Sequence, residues 1–191
     1  MTLRNVVKVL MIFLVIMMSS CQSDYTKLVK RELASGKQND SLFYRLKFGQ
    51  TRSYFFKNCW ELNKQKLLSQ GPNNGYVQAF LQPQDTTDRI HIMRMLFYPR
   101  FDPNDKIMAM DLKFSYVAWA PWNKDLHADK LLPRVQDTLM KWFPGNDFIH
   151  VKDSILVKVD GNRQIQLTEG SERDVSVLIE DLNYKLNKLN N

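Results

Sequence analysis

The chain predicts an α+β fold, a two-layer sandwich in which helices cover the core face of a mostly antiparallel sheet. Three observations carry this expectation. The predicted elements run helix, three strands, helix, three short strands, helix, which reads as two α-β-β-β units without an obvious sequence repeat. Each helical segment has an apolar stripe, and a stripe needs an apolar partner such as one face of a sheet. The segment from Ile107 to Ala118 alternates, with Met108, Met110, Leu112, Phe114, Tyr116 and Ala118 on one side and Asp111, Lys113 and Ser115 on the other. Such a strand has one core face and one wet face.

Within this plan Thr26 to Ala34 is a short helix with Leu28, Val29 and Leu33 at helical spacing, stopped by Gly36. Lys37 to Ser41 is a polar loop and Leu42 to Phe48 an extended or irregular apolar segment. Thr51 can cap a helix running to about Leu68, with Phe55, Cys59, Leu62 and Lys66 along one stripe and Phe56 and Trp60 beside it. Gly71-Pro72-Asn73-Asn74-Gly75 is a turn. Strands follow at Tyr76–Gln82, Ile90–Tyr98 and Ile107–Ala118, the last two joined by Asp102-Pro103-Asn104-Asp105.

The second unit begins near Leu126. Leu131, Leu132, Val135, Leu139, Trp142 and Phe143 form a helical face up to Pro144-Gly145, with Pro133 as a kink or a first-turn residue. Phe148–Val151, Ile155–Val159 and Gln164–Leu167 are short strands, and Asp160-Gly161 is a hairpin turn between the last two. Arg173 to Leu189 carries Val175, Leu178, Ile179, Leu182, Leu186 and Leu189 at helical spacing, with Ser171 as a cap.

The first residues have a different character. Arg4 and Lys8 precede an apolar run from Val9 to Met18, followed by Ser19, Ser20 and Cys21. That is an export signal, and the run is too short for a membrane span, which needs about 20 apolar residues. Met18-Ser19-Ser20-Cys21 resembles a bacterial lipobox, with Met18 where leucine is usual. The resemblance implies diacylglycerol on the Cys21 sulfur, then cleavage before Cys21. The expected organisation is a signal peptide over 1–20, a tether over 21–25 and a single domain over 26–191, placed on the cell envelope, at the outer membrane, by its lipid anchor. An incidental Cys21 in an ordinary secreted protein, or an uncleaved anchor, is the alternative.

Composition narrows the partners. With 44% hydrophobic and 12% aromatic residues the chain can build a core. Removing Arg4 and Lys8 with the leader takes the formal charge from +7 to +5. For a modestly basic envelope domain the anionic partners are head groups, lipopolysaccharide phosphates or acidic polymers, not nucleic acid, although a solvated surface without a specific partner explains the same charge. With Cys21 acylated, Cys59 has no intramolecular partner, and it reads as a small buried hydrophobe before it reads as a reactive thiol.

The stretch Glu32 to Phe43, then Leu46-Lys47-Phe48-Gly49 with Thr51, then Trp60 to Gln65, resembles uncharacterised lipoproteins of Bacteroidota-type bacteria. Phe48-Gly49-x-Thr51 entering a helix before three strands also resembles the small BamE-type outer-membrane lipoproteins, which supports the fold more than any activity. The Bacteroidota resemblance implies an O-glycosylation signal of Asp, Ser or Thr, then an apolar residue. Asp40-Ser41-Leu42, Asp137-Thr138-Leu139 and Asp153-Ser154-Ile155 fit it, and Ser41 is the candidate because it lies in a polar loop.

No nucleophile elbow, phosphate loop or zinc-protease motif surrounds His91, His127 or His150, so no catalytic residue is assigned. Asp102 to Asp105 lacks the spacing of a calcium loop. His91, Met93 and Met95 against Met108 and Met110 offer thioether and imidazole ligands for Cu(I), with Met95 near Met110 across the hairpin, although filling of the core is the favoured reading of these methionines. Tyr98, Phe101, Trp119 and Trp122 concentrate aromatic side chains at one end of the sheet and form the candidate partner-binding group, although packing beneath the following helix is the favoured reading of the same residues. The expected function is a non-enzymatic, lipid-anchored binding or scaffold module needing no cofactor. The alternative is a Cu(I)-binding protein or an enzyme using Cys59, the histidines or the methionines.

Overall fold

The computed structural model describes residues 23–72, 75–85, 87–152 and 154–189. The leader with Cys21, the centre of the Gly71–Gly75 turn and Asp153 lie outside the described residues. The elements are α1 (Asp24–Ala34), α2 (Arg52–Lys64), β1 (Ser69–Gln70), β2 (Val77–Leu81), β3 (Met93–Phe101) and β4 (Ile107–Tyr116). After a 3-10 turn at Lys124–Leu126 come α3 (Ala128–Trp142), β5 (Ile149–Lys152), β6 (Ile155–Asp160), β7 (Arg163–Glu169), β8 (Val175–Asp181) and α4 (Leu182–Leu189).

All eight strands form one antiparallel sheet in the order β1-β2-β3-β4-β8-β7-β6-β5. The fold is therefore α+β, and each half is a helix followed by antiparallel strands. The halves meet where β4 pairs β8, from Ala109↔Glu180 to Phe114↔Val175.

Several local expectations have visible causes. Ser23 accepts from Thr26 N–H, so α1 starts at Asp24 and takes Asp24 and Tyr25 from the expected tether. Thr51 caps α2 by accepting from Tyr54 N–H at 3.2 Å. Asp102 Oδ1 accepts from Asn104 and Lys106 N–H, each at 2.8 Å, and shapes the β3–β4 turn. Gly161, at φ +57°, takes the first central position of the β6–β7 hairpin, where a Cβ would collide with the Lys37 carbonyl.

The segment Arg173 to Leu189 departs from expectation. Only Leu182–Leu189 is helical, and Val175–Asp181 is β8. Val175, Val177 and Ile179 are β-branched, alternate and are buried, so the segment fits a strand as well as it fits a helical stripe. β4 and β7 each present an edge to it, and pairing on both sides decides the matter. Ser171 accepts from Arg173 and Asp174 N–H in the β7–β8 turn and caps no helix. β3 starts at Met93, not Ile90, because residues 90 and 91 belong to a turn.

The layering also differs from a simple two-layer sandwich. One sheet face, with Met95, Phe97, Leu112, Phe114, Leu167 and Ile179, packs beneath α2 and α3 through Phe55, Leu62, Leu131, Val135 and Leu139. On the other face, Val157 and Val159 of β6 pack with Leu28 of α1 and Leu182 of α4. The nearly continuous apolar run of β6 is that of a strand covered on both faces. On the second face Arg100, Asp111, Lys113 and Leu178 line an open depression, whereas Leu96, Ala109 and Ser115 of the same face are buried.

A buried charged cluster joins these layers. Lys158, fully buried, pairs with Asp160 at 2.9 Å and donates to the Asn146 carbonyl. Asp160 accepts from Asn146 N–H at 2.7 Å. Arg163 donates to the Ser41 carbonyl at 2.9 Å and lies 4.4 Å from the Phe143 ring centroid. Gly145 makes room for this, since a Cβ there would collide with the Asp160 carboxylate. Next to it, Glu32 of α1 accepts from Gly161 N–H at 3.1 Å. Burial raises the Glu32 pKa, but that hydrogen bond together with Asn146 and Arg31 outweighs it and leaves the carboxyl below its ordinary value.

Removing one member of the buried pair strands the other charge, so Lys158→Met or Asp160→Ala should each lower unfolding free energy by about 3–5 kcal/mol in urea melts. The double variant Lys158→Met/Asp160→Ala should lose less than the sum, and strict additivity would contradict the pairing. The lowered Glu32 pKa stabilises above the unfolded value, and the contribution is lost as pH falls through the folded one. Amide exchange in α1 should accelerate on acidification below the ordinary carboxyl value of 4.5, and Glu32→Gln should blunt that response.

Candidate partner-binding surface

α2 carries its own division into an inner and an outer side. Phe55, Asn58 and Leu62 are buried at helical spacing. Asn58 Nδ2 donates to the Tyr44 carbonyl at 2.8 Å, fixing α2 on the tight loop where Tyr44 and Arg45 take positive φ. With that stripe committed to the core, Phe56 and Trp60, one turn apart, face outward and are 50% and 58% exposed. Lys64 Nζ sits 3.3 Å from the Trp60 ring centroid, a cation–π contact that holds the indole against the helix.

Phe56 and Trp60, with Cys59, Leu68, Tyr76 and Tyr98, line a mainly apolar groove of about 500 Å³ between α2 and the β1–β2 edge. Leu67 continues the exposed apolar surface beyond the helix end. Tyr76 is also shared with a shallow polar depression on the second sheet face, beside Arg100, Asp111, Lys113, Gln166 and Leu178. There Arg100 grips Asp111 with two hydrogen bonds of 2.7 Å. A neighbouring hollow is lined by Met108, Tyr184, Lys185 and Lys188, and Lys185 is paired with Glu180 at 2.8 Å.

The expected aromatic group does not assemble in one place. Tyr98 and Phe101 meet edge to face at 6.2 Å, pack on Phe55, and have Arg52 over the Phe101 ring at 4.1 Å. Trp119 and Trp122 follow the opposite end of the β3–β4 hairpin. The ladder runs from Phe101↔Ile107 to Met93↔Tyr116, which separates the two pairs by about 25 Å at the strand rise. Trp122 is 84% exposed, whereas Trp119 is partly buried against the core. Of the four, only Tyr98 reaches the groove. Phe56, Trp60 and Tyr76 are the residues that sequence reasoning missed. Their signal was present, as two aromatics four apart just outside a buried helical stripe.

The methionines also separate. Met95 pairs with Phe114 and Met110 with Pro99, four ladder positions and roughly 13 Å apart. A bulge at the turn end shifts the register, so Ile107 and Met110 enter the core while Met108 lines the hollow beside Tyr184. The juxtaposition expected for Cu(I) is not formed. His91 is held by Asp88 at 2.7 Å, His127 is buried with Nε2 3.2 Å from the Pro121 carbonyl, and His150 is exposed on β5. Among the described residues no three His, Cys, Asp or Glu side chains converge to hold a metal ion, and no helix is long and apolar enough to cross a membrane.

Ser41 is exposed, and Asp40 accepts from Asn162 Nδ2 at 2.8 Å. Thr138 is bound back to the Arg134 carbonyl inside α3. Compared with protein-family models, curated proteins and solved structures, the chain matches none.

Burial pushes the Cys59 thiol up to about 12. From the thiolate population alone, alkylation of Cys59 at pH 8 should run roughly a thousandfold slower in the native protein than in urea. Peptide-resolved mass spectrometry reads this rate, and equal rates in the two states would contradict the burial.

Proposed function

We propose that this chain is a lipid-anchored protein of a bacterial envelope, a non-enzymatic module that holds a protein partner at the aromatic groove of α2. The observation that carries the reading is the exposed Phe56–Trp60 pair beside a preformed apolar groove. Large aromatic side chains left in water next to a concavity are what a partner's apolar anchor requires, and Trp and Tyr dominate the energetics of such contacts. Lys57 and Lys64 flank the pair, so acidic groups on the partner's rim fit best.

The placement on a membrane is supported by the leader and by Met18-Ser19-Ser20-Cys21. The resemblance to Bacteroidota-type lipoproteins and to BamE-type proteins agrees with it. A short tether before α1 would keep the groove near the membrane surface, where an envelope assembly is within reach.

Labelled palmitate should enter the wild-type protein in a bacterial host and fail to enter Cys21→Ala; equal labelling would remove the anchor from the reading. A photo-crosslinker at position 60 should trap a discrete partner in native membranes that one at Lys141, on the outer side of α3, does not. Phe56→Ala/Trp60→Ala should weaken capture by at least tenfold, as for a loss of about 2 kcal/mol or more at a hot spot. Unchanged capture would move the binding surface elsewhere.

A further inference from the structure

Where β4 leaves the sheet, three hydrogen-bond donors are buried with nothing to donate to. Arg94 on β3 lies opposite Ser115 and gives a terminal nitrogen to its Oγ at 3.1 Å, but the Arg94 Nε–H is buried and unpartnered. The indole Nε1–H of Trp119 and the Nε–H of Arg173 are in the same condition. Among the described residues six buried side-chain polar atoms lack a hydrogen-bond partner, and half of them fall in this one cluster. A buried donor left unsatisfied costs about 1–3 kcal/mol, so their concentration calls for an acceptor.

The three side chains are neighbours for reasons of register. β8 begins at Val175 opposite Phe114, so Asp174 and Arg173 continue beside Ser115 and hence beside Arg94. The Arg173 guanidinium lies 5.4 Å from the Trp119 ring centroid. Burial first, and then the charge of Arg173, lower the Arg94 pKa, as expected when two guanidinium groups face each other. The nearby carboxylate, Asp174, is 3.9 Å from Arg173 Nε, beyond hydrogen-bond range. Two cations against one anion leave a positive surplus. The Arg173 side chain is 40% exposed while the three donor atoms are buried, so a ligand reaches them past the Arg173 side chain.

We propose that Arg94, Arg173 and Trp119 form a binding site for a small oxyanion, a carboxylate or a phosphate group, which accepts from the two Nε–H groups and the indole N–H. Guanidinium forks match the spacing of such oxygens, and the Arg173 guanidinium lies within cation–π range of the Trp119 ring. The site lies away from the α2 groove, and it stands or falls independently of the partner-binding reading.

The test is a titration of the full chain in detergent with sodium phosphate and, separately, sodium acetate at constant ionic strength, observed through arginine Nε–H and tryptophan indole N–H resonances. The Trp119, Arg94 and Arg173 signals should shift saturably with at least one anion, with Kd on the order of 1 mM or tighter, while the exposed Trp122 indole stays in place. Which anion saturates first identifies a planar or a tetrahedral ligand. Arg94→Gln and Arg173→Gln should each weaken binding about tenfold or more, and Arg173→Lys, which keeps the charge and disturbs folding least, should weaken it through loss of the fork. Linear shifts shared by Trp122, no shift with either anion, or saturation unchanged in Arg173→Lys and Arg173→Gln would overturn the proposal.

Discussion

The buried contact between Lys158 and Asp160, with Arg163 beside it, is the constraint on which the rest of the molecule depends. It sits at the end of the β6–β7 hairpin and collects segments far apart in the chain: the loop after α1 through Ser41, and the loop after α3 through Asn146. Asn162 extends the same hub. Its amide donates to Asp40 and Asp181, and its side-chain oxygen accepts from Asn39 N–H at 2.6 Å. A buried charge is tolerated only where its partners are placed accurately, so this cluster selects one arrangement of loops among the many that a hydrophobic core alone would accept.

From that hub the sheet extends through β7 and β8 to β4, and the two halves of the chain share one core. The cost of inserting β8, a late segment, between β4 and β7 is a long-range closure, offset by ladder pairing on both sides and by three β-branched side chains entering a dry interior. Because α2 and α3 lie on one face and α1 with α4 on the other, the sheet is covered unevenly. The open depression of the second face and the groove of α2 adjoin at Tyr76. The surface open to a partner is thus a consequence of where the helices dock, and no special motif was needed to create it.

The candidate site shows where reading from residues reaches its end. Thr51 as a cap and the stripe through Phe55 and Leu62 were legible, because a helix places side chains by a fixed rotation and its start is set by a bond spanning three residues. Once that stripe is buried, Phe56 and Trp60 must point outward, so the aromatic pair was implicit in the same pattern. Tyr98 and Trp119 are different. Their separation depends on the direction of a hairpin, and a strand reverses which residues lie close in space. Proximity in sequence to one strand pair does not place two residues at the same end of it.

By itself the amino-acid sequence determined the elements whose cause lies within a few residues: both early helices, the alternating strand β4, the turns at Asp102 and at Asp160-Gly161, and the α+β character of the whole. Only the tertiary structure decided that Val175–Asp181 is a strand, that α1 crosses to the second face, that a bulge sends Met108 away from Met110, and that Arg94, Arg173 and Trp119 come together. The physical reason is common to all four. Apolar periodicity states that a side chain needs a dry neighbour, and strand edges state that they need a partner, but the identity of each is a property of the packed whole.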